Sequence, residues 1–371
     1  MSRRAIRIEP LANPRTPRLA AELGFGRYFT NRMFTQRFSP GKGWHDATIG
    51  AYRALDLDPA AQVLHCGQDI FEGTKAYLRP DGRVNLFRVD RNLARFNRSA
   101  ERLSMPQIEP DAHLEAIETL VRLEHEWIPP APGSALYIRP VMVGIEPTLE
   151  VRAAGDFLHY IILSPVGPYF GSGLKPVSVY ISHDHVRAVR GGTGEAKTIA
   201  NYAGSIYVTE AARAQGYQQV LWLDAVERRY VEECGAMNIA FVYGGNHIRT
   251  PALSGSILPG VTRESILQLA PDLGFRTSED RIDVGEVLAD LERGAITEVF
   301  AMGTGAVIAP VGRFGYQGRD YPVNGMRTGA VAQTLFDALT AIQSGRAPDP
   351  YGWTRSFGVD TTAPARASAR A

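Results

Sequence analysis

The sequence predicts an α+β chain folded as two domains with a ligand cleft between them. Its 371 residues are too many for one small core and suit two domains of ordinary size. Apolar runs rich in β-branched residues and stretches of helical periodicity succeed one another along the chain, with no internal repeat. The densest Pro/Gly cluster, Pro165-Val166-Gly167-Pro168-Tyr169-Phe170-Gly171-Ser172-Gly173, lies near the middle and reads as a linker. This divides the chain into a first domain at 1–167, a linker at 168–177 and a second domain at 178–371, and a cleft between domains is the natural ligand site.

Each element has its own signal. Residues 1 to about 20, rich in Pro and Arg, read as an irregular arm. Short apolar runs predict strands at Val63–His65 and Val84–Arg88. Asp90 is a plausible N-cap for a helix over Arg91–Leu103, and Pro110 precedes a second helix over Asp111–Glu126. Two β-branched runs, Ala135–Val143 and Phe157–Leu163, predict longer strands. Beyond the linker the pattern predicts strands at 176–182, 218–224, 236–243 and 296–301, and helices at 200–215, 261–273, 283–293 and 328–344. The Ala-, Arg- and Thr-rich tail, 360–371, reads as disordered.

Composition narrows the function. With 40 basic against 39 acidic side chains there is no electrostatic footprint for nucleic acid or an anionic membrane, so a small-molecule partner is expected. The start has no apolar h-region and no run of 18 apolar residues occurs, which predicts a cytoplasmic protein. Two distant cysteines, Cys66 and Cys234, fit a reducing compartment, and Cys66 is expected to be a buried, inert thiol rather than a redox switch. His183-X-His185 would face one way on a strand, but no third ligand is evident and no metal is expected.

Lysine is scarce: Lys42, Lys75, Lys175 and Lys197 are the only four. A lysine retained where arginine is the habitual cation suggests amine chemistry, because arginine cannot give up its proton near neutral pH. Lys197 follows Arg190-Gly191-Gly192-Thr193-Gly194-Glu195-Ala196 and precedes a helix with Tyr202 near its start. Glycines this dense mark backbone that turns sharply or approaches a ligand. On spacing alone, an exposed lysine in a flexible loop is the commoner arrangement. Glu233, before Gly235 and a strand, could face a cationic ring nitrogen, and Glu232 leaves that assignment ambiguous by one position. Leu258-Pro259-Gly260-Val261-Thr262-Arg263 places free N–H groups and a hydroxyl at a helix start, an anion site, and Met302-Gly303-Thr304-Gly305 offers a second one. A lysine, a carboxylate, a tyrosine and anion-binding turns form the inventory that pyridoxal 5'-phosphate needs.

The same segments carry a family resemblance. Phe71-Glu72-Gly73-Thr74-Lys75-Ala76-Tyr77, the run from Asn92 to Leu103, Tyr137-Ile138-Arg139-Pro140, the lysine segment, Gln219–Asp224 and Tyr351-Gly352-Trp353 together resemble branched-chain amino acid aminotransferases, fold type IV pyridoxal-phosphate enzymes, from about Gly24 to Trp353. The resemblance implies a smaller N-terminal α/β domain, a larger C-terminal domain with the cofactor in the cleft, and a homodimer. It makes Lys197 the residue that carries the cofactor as an imine and moves the proton. Tyr202 would bond the phenolic oxygen, Glu233 would pair with the pyridine nitrogen, and Arg95, Val261, Thr262 and Thr304 would hold the phosphate. Thr304 and Gly305 would receive the substrate α-carboxylate, Tyr137 and Arg139 would line the substrate side, and Phe71 and Tyr169 would be apolar walls. The implied reaction is ping-pong transamination between a branched-chain or related hydrophobic L-amino acid and 2-oxoglutarate.

The chain departs from the family at several points. Cys66 replaces a tyrosine, removing a hydroxyl expected near Arg139. Ile199-Ala200 replaces Gly-Gly, adding bulk next to Lys197; Ala236 replaces Thr, Gly305 replaces Ala, and Asn31-Arg32 replaces Asp-His. The cofactor set is intact while substrate neighbours have changed, which leaves open a paralogue with a specialised amino acid. D-amino acid aminotransferases and aminodeoxychorismate lyases share the lysine and glutamate, and a catalytically degenerate cofactor-binding homologue is the alternative from another class.

Overall fold

The structure is a computed structural model and describes residues 5–17, 23–167 and 174–359. Tyr169 and the tail at 360–371 lie outside the described residues.

Two nine-stranded sheets form the frame. The first runs in the order Arg7–Ile8, Gly43–Ala51, Arg32–Ser39, Phe157–Val166, Ala135–Gly144, Thr74–Leu78, Val84–Phe87 and Thr354–Phe357, with Asp69–Phe71 also paired to Ala135–Gly144. The second runs Val231–Cys234, Gln219–Leu223, Val177–Ile181, Val307–Tyr316, Ile296–Gly303, Asn238–Tyr243, His247–Pro251 and Arg276–Asp280, with Arg319–Pro322 paired to Val307–Tyr316. Thr354–Phe357, in the later half of the sequence, hydrogen-bonds antiparallel to Val84–Phe87 and so closes the edge of the first sheet.

Strand alternation decides what each sheet covers. On Thr74–Leu78, Ala76 packs with Leu86, Leu136 and Ile138 under the helices, a core that also takes Leu93, Ile117 and Leu120. Tyr77, Phe87, Ala135 and Tyr137 face the other way, into a core shared with Ala240, Ile266, Phe300 and Leu335 of the second half. The face of the first sheet opposite its helices is therefore buried against the second half, and the cleft opens along that seam.

Several local expectations need correction. Val63–His65 is not a strand but lies in the short helix Gln62–Cys66, stopped by Gly67 in the left-handed conformation at φ 61°; so short an apolar run carries no period to tell the two apart. The helix expected from Arg91 spans Val89–Arg102, and its N-cap is Arg88, at φ 45°, rather than Asp90, which sits in the first turn. That turn is held from outside: the Arg88 amide donates to Trp353 O (2.7 Å), and its guanidinium to Ser265 Oγ (2.9 Å) and Glu264 Oε1 (2.8 Å). The next helix spans Pro110–Leu123, capped by Glu109, whose side chain accepts from the Ala112 amide, and gives way to a 3₁₀ turn at His125–Trp127. The helix expected over 200–215 is two helices, Ile199–Ala203 and Ile206–Ala214, broken at Gly204-Ser205. The one expected over 261–273 ends at Leu269 and continues as a 3₁₀ turn at Pro271–Leu273.

Candidate active site

Lys197 is fixed by the first half of the chain although it belongs to the second. Its amide donates to Ser99 Oγ (2.9 Å), and its carbonyl accepts from the Phe71 amide (2.9 Å). Just beyond it, Asp69 Oδ1 accepts from the Ile199 amide (2.8 Å) and the Thr198 hydroxyl (3.2 Å). Asp69 is 3% exposed. Burial pushes its carboxyl up to about 6, against the bonds from Ile199 and Thr198 and the charge of Arg139, which pull it down. The glycine-rich approach is tight as well as flexible: a Cβ on Gly194 would lie 2.2 Å from the Ser256 carbonyl oxygen. Asn201 staples the same loop, donating to Thr193 O and Ala196 O at 2.8 Å each.

The Lys197 side chain then reaches into the cleft. Its Nζ donates to the Tyr202 hydroxyl at 2.8 Å and lies 4.8 Å from the centre of the Phe71 ring. The break at Gly204 confines Tyr202 to one short helix turn, which holds its ring against Phe71 (centroids 5.0 Å apart).

Glu233 is the carboxylate on the cleft side. Its Oε1 accepts from the Leu258 amide (2.7 Å), and Oε2 lies 3.0 Å from Arg187 Nε. Burial pushes this carboxyl up, opposed by Arg187 and the Leu258 amide. Glu232, one residue earlier on Val231–Cys234, points to the opposite face and accepts from the Ser256 hydroxyl. Strand alternation thus removes the ambiguity between them.

At the other end, the helix Val261–Leu269 starts after Gly260 with no side-chain cap, leaving the first N–H groups, at Val261 and Thr262, free for an anion. Gly260 is tight here, since a Cβ would lie 2.0 Å from Asn238 Oδ1. Arg95 approaches through a pair the sequence did not suggest: Nε and Nη2 bind Glu72 Oε1 (2.6 Å) and Oε2 (3.0 Å), and Nη1 donates to Pro259 O (3.1 Å). Burial would raise the Glu72 carboxyl, but Arg95, with further bonds from Gly73 and Asn92, holds it below the usual carboxylate range. Two guanidinium N–H groups remain for a ligand.

Elsewhere in the cleft, Arg139 lies over the Phe71 ring (4.6 Å to its centre) and donates to the Tyr137 hydroxyl (3.2 Å). Its Nε is buried without a hydrogen-bond partner. Lys197, Tyr202, Glu233, Arg95, Val261, Thr262, Thr304, Gly305, Phe71, Tyr137 and Arg139 all line one cavity of about 290 Å³. Of the expected site residues only Tyr169 falls outside the described chain. Phe25, Met237 and Asn238 line the cavity too and were not among the expected site residues, and neither was Met302, although it opens the Gly-Thr motif. An adjoining space of about 180 Å³ shares Tyr202, Gln219, Glu233, Ala236 and Leu258 with it, so the cleft extends past Glu233.

The departures separate by exposure. Cys66 is exposed rather than buried, at the end of its short helix, and does not line the cavity. Ile199 is 40% exposed and Ala200 is exposed with it, so their bulk turns outward and not toward Lys197. Arg32 binds Glu124 at 2.8 Å, and the Asn31 amide donates to the same carboxylate at 2.8 Å. Only Ala236 and Gly305 line the cavity. Among the described residues no cluster of three or more His, Cys, Asp or Glu could hold a metal ion, and no helix is long and apolar enough to cross a membrane.

A cleft offering one amine, one buried carboxylate and, opposite them, a helix N-terminus with an arginine and two threonines fits a phosphorylated aldehyde with a basic ring nitrogen, and so defines an enzyme working through such a cofactor. The family model for amino-transferase class IV matches residues 69–314, and the chain belongs to that family, whose cofactor is pyridoxal 5'-phosphate. It is 49% identical to a probable branched-chain-amino-acid aminotransferase of Streptomyces coelicolor over 94% of this chain and 96% of that one. It is 48% identical to branched-chain-amino-acid transaminase 1 of Bacillus subtilis over 90% of this chain and 94% of that one. The crystal structure of the Escherichia coli branched-chain amino acid aminotransferase superposes with a TM-score of 0.71 at 26% identity, covering 82% of this chain and 95% of its own.

Proposed function

We propose that this chain transfers the amino group of a branched-chain or related hydrophobic L-amino acid to 2-oxoglutarate, in a ping-pong cycle, as a cytoplasmic homodimer. The observation that carries the reading is the Lys197–Tyr202 bond at 2.8 Å, set between Glu233 and the N-terminus of Val261–Leu269 in one cavity. Bound there, pyridoxal phosphate supplies the aldehyde that takes up an amino group and the ring that holds the electrons released at the substrate Cα. Glu233, buried and close to a cation already, keeps the ring nitrogen protonated. Val261, Thr262, Thr304 and Arg95 hold the phosphate. Lys197 is the amine that binds the cofactor and carries a proton to and from the substrate Cα, with the Tyr202 hydroxyl orienting its Nζ. Phe71, Met302 and Tyr137 give an apolar wall for an aliphatic side chain, and the unpartnered Nε of Arg139 suits the distal carboxylate of glutamate. The apolar side chains exposed on this monomer, among them Leu64, Leu149, Ile206 and Tyr207, support a partner subunit.

The test is a spectral titration of the cofactor-loaded protein with L-leucine, L-isoleucine, L-valine, L-glutamate and their D-forms. Loss of the long-wavelength band with the branched L-acids and L-glutamate is expected. A band that ignores them but responds to another L-acid points to a specialised donor, a reading supported by the changes at Ala236 and Gly305. Response to the D-forms alone, no band, or a band that survives Lys197→Ala sinks the proposal.

A further inference from the structure

A second cavity, of about 570 Å³, shares a wall with the first: Gly305 and Ala306 line both. At the wall sits Lys75, 5% exposed, whose Nζ donates to the Gly305 carbonyl at 2.8 Å. Among the described residues no carboxylate pairs with it, although Asp337 lines the same cavity, and burial alone pushes its ammonium down to about 8. One backbone acceptor leaves two of its three N–H donors for something else. Beside it, Gln343 is 4% exposed and its Oε1 is buried without a hydrogen-bond partner. The wall also carries Pro129, Pro130, Leu174, Val307 and Phe336, with Arg79, Asp337 and Arg346 as its other charged groups.

A buried cation without a paired counter-charge, an unused acceptor next to it and a partly apolar chamber beyond describe one ligand chemistry. Lys75 takes a carboxylate, Gln343 Oε1 takes a donor on the neighbouring carbon, and the prolines and Phe336 take an aliphatic body. The two cavities are separate compartments. Between them lies a gap of about 10 Å³ lined by Lys75, Gln343, Thr262 and Thr304, room for a water at most. A ligand in either cavity meets the turn at Gly305 and Ala306, which lines both.

We propose that this cavity is a second, non-catalytic binding site for an apolar α-amino acid, coupled to the catalytic cleft through the Lys75–Gly305 bond. The binding site stands on its own; the coupling rests on the reading, given under Proposed function, that Thr304 and Gly305 belong to the catalytic site. The ligand carboxylate engages the two free N–H donors and, as a charged acceptor stronger than a carbonyl, competes with Gly305 for the position of the Lys75 ammonium. When it wins, the turn that also lines the catalytic cleft loses its tether, and substrate binds less well there. Such a ligand acts only as far as it distinguishes tethered from released turn, and the one hydrogen bond exchanged supplies that difference.

The experiment blocks the catalytic cleft of the cofactor-dependent enzyme with N-(5'-phosphopyridoxyl)-L-leucine and then titrates L-leucine by calorimetry. Loading of the adduct is followed separately, so failure to load counts against the proposed function. In that event the same titration is run on the protein loaded with pyridoxal phosphate and reduced at Lys197. One further equivalent of L-leucine per chain is expected, weakened at least tenfold by Lys75→Met. Thr340→Phe, on the helix Ala330–Gln343, fills the chamber without touching Lys75 and should weaken it as much, which guards against Lys75→Met acting through misfolding. No second equivalent in the wild type, or one that both variants leave unchanged, overturns the proposal.

Discussion

Asp69→Asn should make this protein more stable at pH 8 and leave it nearly unchanged at pH 4. Asp69 is buried, accepts from Ile199 and Thr198, and has its carboxyl raised to about 6 from an ordinary 3.8. The folded-state value is the higher one, so the folded protein holds the proton more tightly than the unfolded chain does. Stability from that proton is fully present below the unfolded value and lost as pH rises through the window from 3.8 to about 6. Above the window, ionised Asp69 carries the whole difference, on the order of 3 kcal/mol at 1.36 kcal/mol per pH unit. Asparagine keeps an oxygen for the Ile199 amide and removes the charge, so about 2 kcal/mol of gain at pH 8 is expected, with less than about 1 at pH 4. Urea unfolding of both proteins, cofactor-loaded, at the two pH values measures it. A gain equal at both, or a loss that grows toward pH 8, refutes the reasoning. Asp69→Ala is the counterpart. It leaves the Thr198 hydroxyl and Ile199 amide unpaired beside Lys197, costing about 1–3 kcal/mol at pH 4, a cost largely offset at pH 8 because the same charge is removed.

Glu72→Gln breaks the doubly bonded, buried pair with Arg95 and should cost about 3–5 kcal/mol by thermal unfolding; if Arg95 holds the phosphate as proposed, pyridoxal phosphate should also be lost faster on dialysis. Gly73→Ala would set a Cβ 1.9 Å from the Tyr137 hydroxyl, so Tyr137 must move off Arg139; a KM for the amino acid raised at least fivefold, with cofactor affinity unchanged, is the expected kinetic result. Arg32→Ala strands the buried Glu124 carboxylate and should cost about 2–4 kcal/mol in urea unfolding while kcat/KM at permissive temperature stays within twofold. His113, fully buried against His159, is pushed by burial down to about 3. The unfolded chain therefore takes up the proton first, and His113→Leu should lessen the fall in stability between about pH 6.5 and pH 4 seen by melting temperature.

The residues legible in the sequence were those whose meaning is local. Gly-rich backbone before Lys197, a Pro-Gly helix start before Val261 and a Gly-Thr turn after a strand each announce a bare N–H group or a tight approach within a few residues. The residues that hold them in place were not legible, because they act across long separations. Ser99 and Asp69 fix the Lys197 segment from 98 and 129 or 130 positions away. Glu72 stands 23 residues before Arg95, and nothing in either segment signals that they pair. The strands Arg32–Ser39 and Gly43–Ala51 were missed for a related reason. Their sequences carry Arg37 and Asp46 among few apolar residues, and the hairpin exists because its partner Phe157–Val166 and the buried Phe34 and Ile49 give it one covered face.

The same contrast bears on substrate choice. Judged by sequence position, Cys66, Ile199, Ala200, Ala236 and Gly305 weigh equally as departures near the active site. By placement they do not: the side chains of the first three turn to the surface, and Ala236 and Gly305 alone line the cleft. Both changes remove atoms, a hydroxyl with its methyl at one and a methyl at the other. Together they widen the cleft, on the proposed assignment at its substrate end, without altering its charge, since Arg139 and the Phe71 ring beneath it remain. A wider, still apolar end admits larger aliphatic or aromatic side chains. Each added methylene contributes only about 1–3 kcal/mol of discrimination, so the chain should keep the branched-chain acids while gaining larger ones. Ala236→Thr, restoring the hydroxyl and methyl, should then lower kcat/KM for L-phenylalanine at least tenfold more than for L-valine, and equal losses on both would place selectivity elsewhere.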